Sequence, residues 1–429
     1  MNTTPQLFDL IIIGGGPGGY TTAAEAAASG LSVALIEKDN LGGTCLNQGC
    51  IPTKSLCHSA AEASPLAEAM EMKVKVVETL RKGIASLLAK VTLFKGEAEM
   101  EPDHCVRVDG ELLFAPKIII ATGSYAATLP IPGADLAFTS TEMLSLTNLP
   151  RSLAIIGGGV IGMEFASMMC DWGVEVTVIE YCPEILPPFD RDIAKRLRMI
   201  LKRRGVNIIT AAGVTAISKD EDEKFSVTYS TKGKEKSVTA DLVLMAVGRR
   251  ALLPKGLDKA GVTTDKRGFI ITDNDMLTSA PGIYAIGDVN GRCLLAHAAE
   301  AQGRKVIGLP VNLDVIPAVA FTNPPCATVG MTQTECEASG FTPLVGSSTF
   351  HSNGYAVATG KTDGMVKLLF HPDTKKLLGC SMVGAGADLM IASLAMALNL
   401  GATLGDMQSM VFAHPTLGET ISAAARNAK

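Results

Sequence analysis

The stretch "FDLIIIGGGPGGYTTAAEAAASGLSVALIEKD", beginning at Phe8, runs from an apolar segment through a glycine-rich turn and an alanine-rich segment into a second apolar segment ending in an acid. That pattern predicts a buried strand, a turn, a helix and a second strand. "RSLAIIGGGVIGMEFASMMCDWGVEVTVIEY", beginning at Arg151, repeats it 143 residues later, with Gly157 answering Gly14 and Glu180 answering Glu37. In both copies the acid stands 18 residues after the third glycine. One such turn could be a plain strand-to-helix connection. Two complete copies at a single offset point instead to two dinucleotide sites on an α/β scaffold.

The residue types suit that chemistry. In the first copy Gly14 allows the tight turn, Gly16 lets the backbone approach a pyrophosphate, and Gly19 lets the helix pack closely on the strand; Gly157, Gly159 and Gly162 do the same in the second. The helix N-terminus meets the phosphates with its partial positive charge. Glu37 and Glu180, at the ends of the second strands, can accept hydrogen bonds from an adenosine ribose. Two Rossmann units in one chain suggest two dinucleotides held for hydride transfer, one of them a flavin. "TSAPGIYAIGDVNG" at 278–291 is a short strand followed by Gly287 and Asp288, whose carboxylate could meet a ribityl chain. Taken alone, it and "KIIIATGS" at 117–124 are ordinary strand-then-turn segments.

A length of 429 residues predicts two to four compact units. The composition, 47% hydrophobic and 19% charged, suits a globular enzyme and argues against disorder. A net charge of −5, with no basic run longer than "KRR" at 202–204, gives no footprint for nucleic acid. The longest apolar stretch, "LMIASLAMALNLG" at 389–401, is shorter than the ~18–20 residues a membrane span needs. "MNTTPQLFDL" lacks the marks of a signal peptide, so a cytoplasmic enzyme without a membrane partner is expected. Ten cysteines are then too dilute for a disulfide framework.

Two of them are placed differently. "GGTCLNQGCIPTK" at 42–54 sets Cys45 and Cys50 five apart, behind a glycine pair and at the approach to a predicted helix with Pro52 in its first turn. A helix N-terminus and the nearby Lys54 both favour a thiolate at Cys50. Buried inert thiols are the bland alternative. Half a zinc site is a poor one, because Cys57 and His58 are adjacent rather than at ligand spacing; no metal site is expected. Cys57, Cys105, Cys170, Cys182, Cys293, Cys326, Cys336 and Cys380 have no partner at motif spacing.

The order of these motifs, with "YAIGD" and the late "HPTLGE" at 414–419, resembles the pyridine nucleotide-disulfide oxidoreductases over nearly the whole chain. "CLN-x-GCIPTK" and "HPTLGE" bring it nearest to the members that oxidise dihydrolipoyl groups. The resemblance implies FAD at the first unit and NAD at the second, with Gly123, Gly248 and Asp288 among the cofactor contacts. It implies that Cys50 forms the thiolate against the flavin, that Cys45 exchanges with the substrate disulfide, and that Lys54 pairs with Glu164 beside the flavin ring. His414, held by Glu419, becomes the acid-base. By itself His414 would be read as an ordinary structural histidine.

The resemblance further implies an FAD domain at 1–150 with a return segment at 269–315, an NAD domain at 151–268 and an interface domain at 316–429 that makes a homodimer. Lipoyl domains of 2-oxo acid dehydrogenase complexes, or the carrier protein of glycine cleavage, would be the partners. Two departures bear on the substrate: the stretch between Lys54 and "KGEAEM" is short for the family, and Phe412 stands where dihydrolipoyl-oxidising members commonly carry a histidine. Rival readings are an NAD(P)H-dependent reductase of another small disulfide and a non-catalytic flavoprotein scaffold. Glutathione-type reductases place arginines after the second strand, where this chain has Tyr181 and Cys182.

Overall fold

The computed structural model describes residues 4–429. The chain divides into two compact units, one built from residues up to Leu56 with Ala67–Ala127 and Gly248–Leu313, the other from Cys57–Leu66, Thr128–Val247 and Asp314–Lys429.

In the first unit Leu10–Ile13 is the central strand of a five-stranded sheet, flanked in order by Ile283–Ala285 and Lys117–Ile120 on one side and Val33–Glu37 and Thr92–Lys95 on the other. All four pairings are parallel. Each residue of "LIII" is buried, which is why the segment reads as a continuous apolar run rather than an alternating one. Each such side chain contributes about 1.5–3 kcal/mol of hydrophobic stabilisation. The helix Pro17–Ala28 starts at a proline and packs against the helix Ala296–Val306. A Cβ on Gly18 would lie 3.0 Å from that of Ala299, so small residues set the spacing. A second, four-stranded sheet, from Gln6–Leu7, Glu111–Phe114, Cys105–Val108 and Glu99–Glu101, was not foreshadowed by any motif.

The second unit repeats the parallel arrangement in the order Asn207–Ile209, Glu175–Ile179, Ser152–Ile156, Leu242–Met245. An antiparallel meander, Ala212–Lys219, Phe225–Thr231 and Lys234–Ala240, follows. Its C-terminal part is a five-stranded antiparallel sheet, Ala318–Ala320, Cys326–Gly330, Leu377–Val383, Met365–Phe370 and Leu344–Thr349, covered by the helices Ala387–Asn399 and Glu419–Arg426. The apolar stretch at 389–401 lies largely in the first of these two. The segment from Gly248 to 268, read from the sequence with the second nucleotide unit, packs with the first unit through the pairing of Arg249–Ala251 with Ser124–Ala126.

One polar cluster ties the second unit together. Lys367, on the strand Met365–Phe370, is only 2% exposed, and its Nζ donates to Asp190 Oδ1 at 2.9 Å, Asp192 Oδ2 at 2.7 Å and Gln333 Oε1 at 2.8 Å. Asp190 caps the helix Arg191–Arg203, and the ammonium holds the Asp192 carboxyl below its ordinary range. Removing the cation would strand a buried carboxylate. Lys367→Ala is therefore expected to lower stability by about 3–5 kcal/mol, seen as an earlier urea midpoint. A midpoint equal to the wild type would show that the cluster contributes nothing.

Candidate active site

Both nucleotide turns have the geometry their glycines were expected to allow. Gly14 sits at φ 108° and Gly157 at φ 107°, in the left-handed region, and a Cβ on either would come within 2.4 Å of a carbonyl oxygen, that of Ala121 or Ala246. A Cβ on Gly19 would lie 1.9 Å from Gly14 O, and one on Gly162 2.0 Å from Gly157 O, so a larger residue at the third position would push helix from strand. The middle glycines differ: a Cβ on Gly159 would meet nothing within 4 Å, and one on Gly16 only the Cα of Gly43 at 4.0 Å. The turn needs no glycine there for its own packing. The open face is what the approach of a pyrophosphate requires.

The two acids do more than the sequence indicated. Glu37 accepts from Gly15 N at 2.7 Å and Asp39 N at 2.7 Å, while Glu180 accepts from Gly158 N and from Cys182 N at 2.6 Å. Each carboxylate thus ties its glycine turn to the segment after the second strand. Because both oxygens have further lone pairs, a ribose hydroxyl can still donate to them.

The dithiol is docked onto the first turn by the glycine pair of its own motif. Gly42 at φ 96° and Gly43 at φ 54° turn the chain, Gly42 N donates to Gly15 O at 2.8 Å, and a Cβ on Gly43 would sit 2.7 Å from the Cα of Gly16. Cys45 lies in the short helix Gly43–Gln48, and Cys50 is the first residue of the helix Cys50–Ala61. Both are half-buried and reduced. Hydrogen bonding to Cys50, burial, and the charge on Cys50 push the Cys45 thiol well above its ordinary range, against the opposing pull of Lys54. The Cys45 thiol therefore holds its proton, with Cys50 as its hydrogen-bond neighbour.

Asp288 follows the strand Ile283–Ala285 in a tight turn and accepts from Ser124 Oγ at 2.5 Å. Gly123 and Gly248 both have positive φ, 73° and 112°, with nothing within 4 Å of a Cβ, so the backbone conformation is the local reason for glycine there. Thr122 Oγ1, beside Gly123, is buried and has no hydrogen-bond partner.

In the second unit the buried Glu164 accepts from Phe321 N at 2.8 Å. His414 is 79% exposed, and its Nδ1 lies 3.0 Å from Glu419 Oε1. Glu419 also accepts from Thr416 N at 3.0 Å; that backbone bond and the imidazole hold its carboxyl below the ordinary range. Asn353, which no motif marked, is buried and donates to Thr416 O at 2.9 Å and Thr420 Oγ1 at 3.1 Å, bracing the "HPT" turn. Phe412 packs against Gly418 and the apolar core under the helix Ala387–Asn399.

Two family descriptions match this chain: pyridine nucleotide-disulphide oxidoreductase over residues 8–303, and its dimerisation domain over 316–425. The chain belongs to the pyridine nucleotide-disulphide oxidoreductase family. Curated relatives named dihydrolipoyl dehydrogenase include those of Thermus scotoductus, 38% identical with 98% of this chain and 97% of the relative aligned, and Haloferax volcanii, 36% identical with 98% and 96% aligned. The solved structure of the HOCl-induced flavoprotein disulfide reductase RclA from Escherichia coli superposes with a TM-score of 0.89 at 32% identity, covering 97% of this chain and 99% of that one. This oxidoreductase uses FAD and NAD and carries the dimerisation domain of a homodimer. The open faces at Gly16 and Gly159 and the unpartnered Thr122 hydroxyl fit two dinucleotides. Among the described residues no helix is long and apolar enough to cross a membrane, and no cluster could hold a metal ion.

Glu180 generates a prediction about the second cofactor. A carboxylate ~4 Å from a 2′-phosphate costs up to about 4 kcal/mol per unit charge at an effective dielectric of 20. NAD is expected to exceed NADP in kcat/KM by at least about 100-fold, the ratio falling in Glu180→Gln. Equal efficiency with both cofactors in the wild type would contradict this reading of Glu180.

Proposed function

We propose that this chain is a dihydrolipoyl dehydrogenase in which Cys45 and Cys50 store the electron pair. The observation that carries the reading is the hydrogen-bonded dithiol seated on the first nucleotide turn. The second unit supplies a His–Glu pair of the kind a thiol substrate needs. When bound, FAD accepts the stored electrons and NAD carries them away as hydride.

In the oxidised enzyme the two sulfurs form a disulfide. His414 takes the proton of one substrate thiol, and the resulting thiolate attacks Cys45 Sγ, breaking the Cys45–Cys50 bond and releasing Cys50 as thiolate. The second substrate thiol then attacks the first substrate sulfur and expels Cys45; the protonated His414 gives its proton to Cys45 and takes the one the second thiol loses, so the imidazole ends holding one proton. One disulfide is formed and one is broken, so the pair ends as a Cys45 thiol beside a Cys50 thiolate. Glu419 keeps the imidazole oriented. Lys54, one turn along from Cys50, and Glu164 are proposed to pair beside the flavin ring. Gly14, Gly16, Gly19, Glu37, Gly123, Gly248 and Asp288 are assigned to FAD, and Gly157, Gly159, Gly162 and Glu180 to NAD.

The largely exposed position of His414 in one chain suits a site completed by the partner, with the cysteines from one protomer and the histidine from the other. Lipoyl domains of a 2-oxo acid dehydrogenase complex, or the carrier of glycine cleavage, would then be the substrates, in the cytoplasm. A second reading, reduction of a different small disulfide, is favoured by Phe412 in the "HPT" approach and by the likeness to the E. coli disulfide reductase over 97% of the chain. Rates with dihydrolipoamide and NAD against glutathione disulfide and NADPH separate the two readings. Turnover only with the second pair would overturn the first.

His414→Gln is expected to cut dihydrolipoamide oxidation by about 10²–10⁴-fold, leaving a residue from the dithiol alone. Cys45→Ser should stop turnover. When Cys45→Ser chains are co-refolded with His414→Gln chains, a hybrid dimer has one site with both defects and one with neither, so activity should rise toward half the wild-type value. Hybrids as inactive as both parents would place the histidine and cysteines of a working site in the same chain.

A further inference from the structure

We infer that Arg249, acting through Ser124, is a positioning residue that aims the Asp288 carboxylate for the polyol of FAD. This rests on Asp288 as the FAD-facing acid proposed above. Arg249 lies 125 positions from Ser124 in sequence. They are brought together by the antiparallel pairing of Ser124–Ala126 with Arg249–Ala251. The ends of this ladder are closed by Leu252 N on Gly123 O at 3.0 Å and Ala127 N on Gly248 O at 2.9 Å. The two left-handed glycines are therefore the turning points from which the ladder starts.

The guanidinium grips the serine twice, with Nε on Ser124 Oγ at 2.6 Å and Nη2 on Ser124 O at 2.7 Å. An arginine has donors only, so Ser124 Oγ must accept from it. The single hydroxyl proton is then directed away from Arg249. It points at Asp288 Oδ2, 2.5 Å away, which must in turn be an acceptor. The chain of bonds has one possible direction, from the guanidinium through the serine hydroxyl to the carboxylate. Arg249 Nε is 3.6 Å from Oδ2, close enough to add charge but too far for a direct hydrogen bond, so the serine is the link.

From the other side the turn bearing Asp288 is fixed by Gln302, whose Oε1 accepts from Gly287 N at 2.8 Å and Asn290 Nδ2 at 2.9 Å. With Oδ2 engaged and the backbone held, Oδ1 is the oxygen left for a ligand hydroxyl. Ser124 and Arg249 are largely buried, so this alignment is set within the protein before a cofactor arrives. A lysine at 249 could supply charge but not the two-pronged grip.

The test is FAD affinity rather than turnover. The full-length protein is stripped of FAD and titrated with it, following flavin fluorescence, for the wild type, Asp288→Asn, Ser124→Ala, Arg249→Leu and the Ser124→Ala/Arg249→Leu double variant. Loss of one charge-assisted bond corresponds to about 10- to 100-fold in Kd. Ser124→Ala and Arg249→Leu are each expected to weaken FAD within that range. Because both act on one carboxylate oxygen, the double variant should be no weaker than the weaker single, and Arg249→Lys should recover only part of the loss. If Asp288→Asn binds FAD as the wild type does, the assignment of Asp288 fails and takes this inference with it. If Asp288→Asn weakens FAD while Ser124→Ala stays within twofold of wild type, or if the two single effects multiply in the double variant, Asp288 stands and the relay is wrong. Ser124→Ala removes one oxygen, so it decides the matter even if Arg249→Leu does not fold.

Discussion

The contact on which the first unit's chemistry depends is one between two backbones. Gly43 lies so close to Gly16 that a Cβ at 43 would come within 2.7 Å of the Cα at 16, and Gly42 bonds the same turn through Gly15. No side chain could be inserted there without parting the dithiol segment from the nucleotide turn. Everything proposed for Cys45 and Cys50 follows from that approach: thiols held elsewhere in the unit would be two half-buried cysteines with no acceptor for their electrons. In the proposed mechanism the thiolate is Cys50, at a helix start that favours it, while burial and the neighbouring sulfur raise the Cys45 thiol.

Much of this was legible in the chain because the signals were local. Each nucleotide unit is a run of consecutive residues in which buried apolar strands bracket glycines that steric constraint makes irreplaceable. The apolar stretch at 389–401 is likewise a contiguous pattern, and most of it lies in the helix Ala387–Asn399. The spacing of Cys45, Cys50 and Lys54 is set within two short helices, so it too could be read without knowing the tertiary structure.

What sequence did not reveal is made by long-range pairing. Arg249 meets Ser124 only because two three-residue strands form a ladder across 125 positions, and neither strand has an apolar alternation to announce it. Asn353 reaches the "HPT" turn from 63 residues away through its amide. Glu37 and Glu180 were read as ligand acceptors, yet in the protein each first satisfies two backbone donors of its own fold. Polar side chains carry no periodicity, so their partners appear only once the sheet order is known. The buried Lys367 cluster is the same case: a charge inside a strand looks like an error until Asp190, Asp192 and Gln333 are brought beside it.

The central claim, that Cys45 and Cys50 cycle between dithiol and disulfide, is open to a direct measurement. Trypsin should release Asp39–Lys54 as a single peptide holding both residues and no other cysteine. The holoenzyme is treated with dihydrolipoamide or with lipoamide plus NADH, quenched in acid with an alkylating reagent and weighed by mass spectrometry. The account predicts that this peptide alone shifts between a doubly alkylated form and an unalkylated form two hydrogens lighter, while the other eight cysteines are labelled equally throughout. A peptide that stays fully alkylated under turnover, or a disulfide appearing at any other pair, would contradict it.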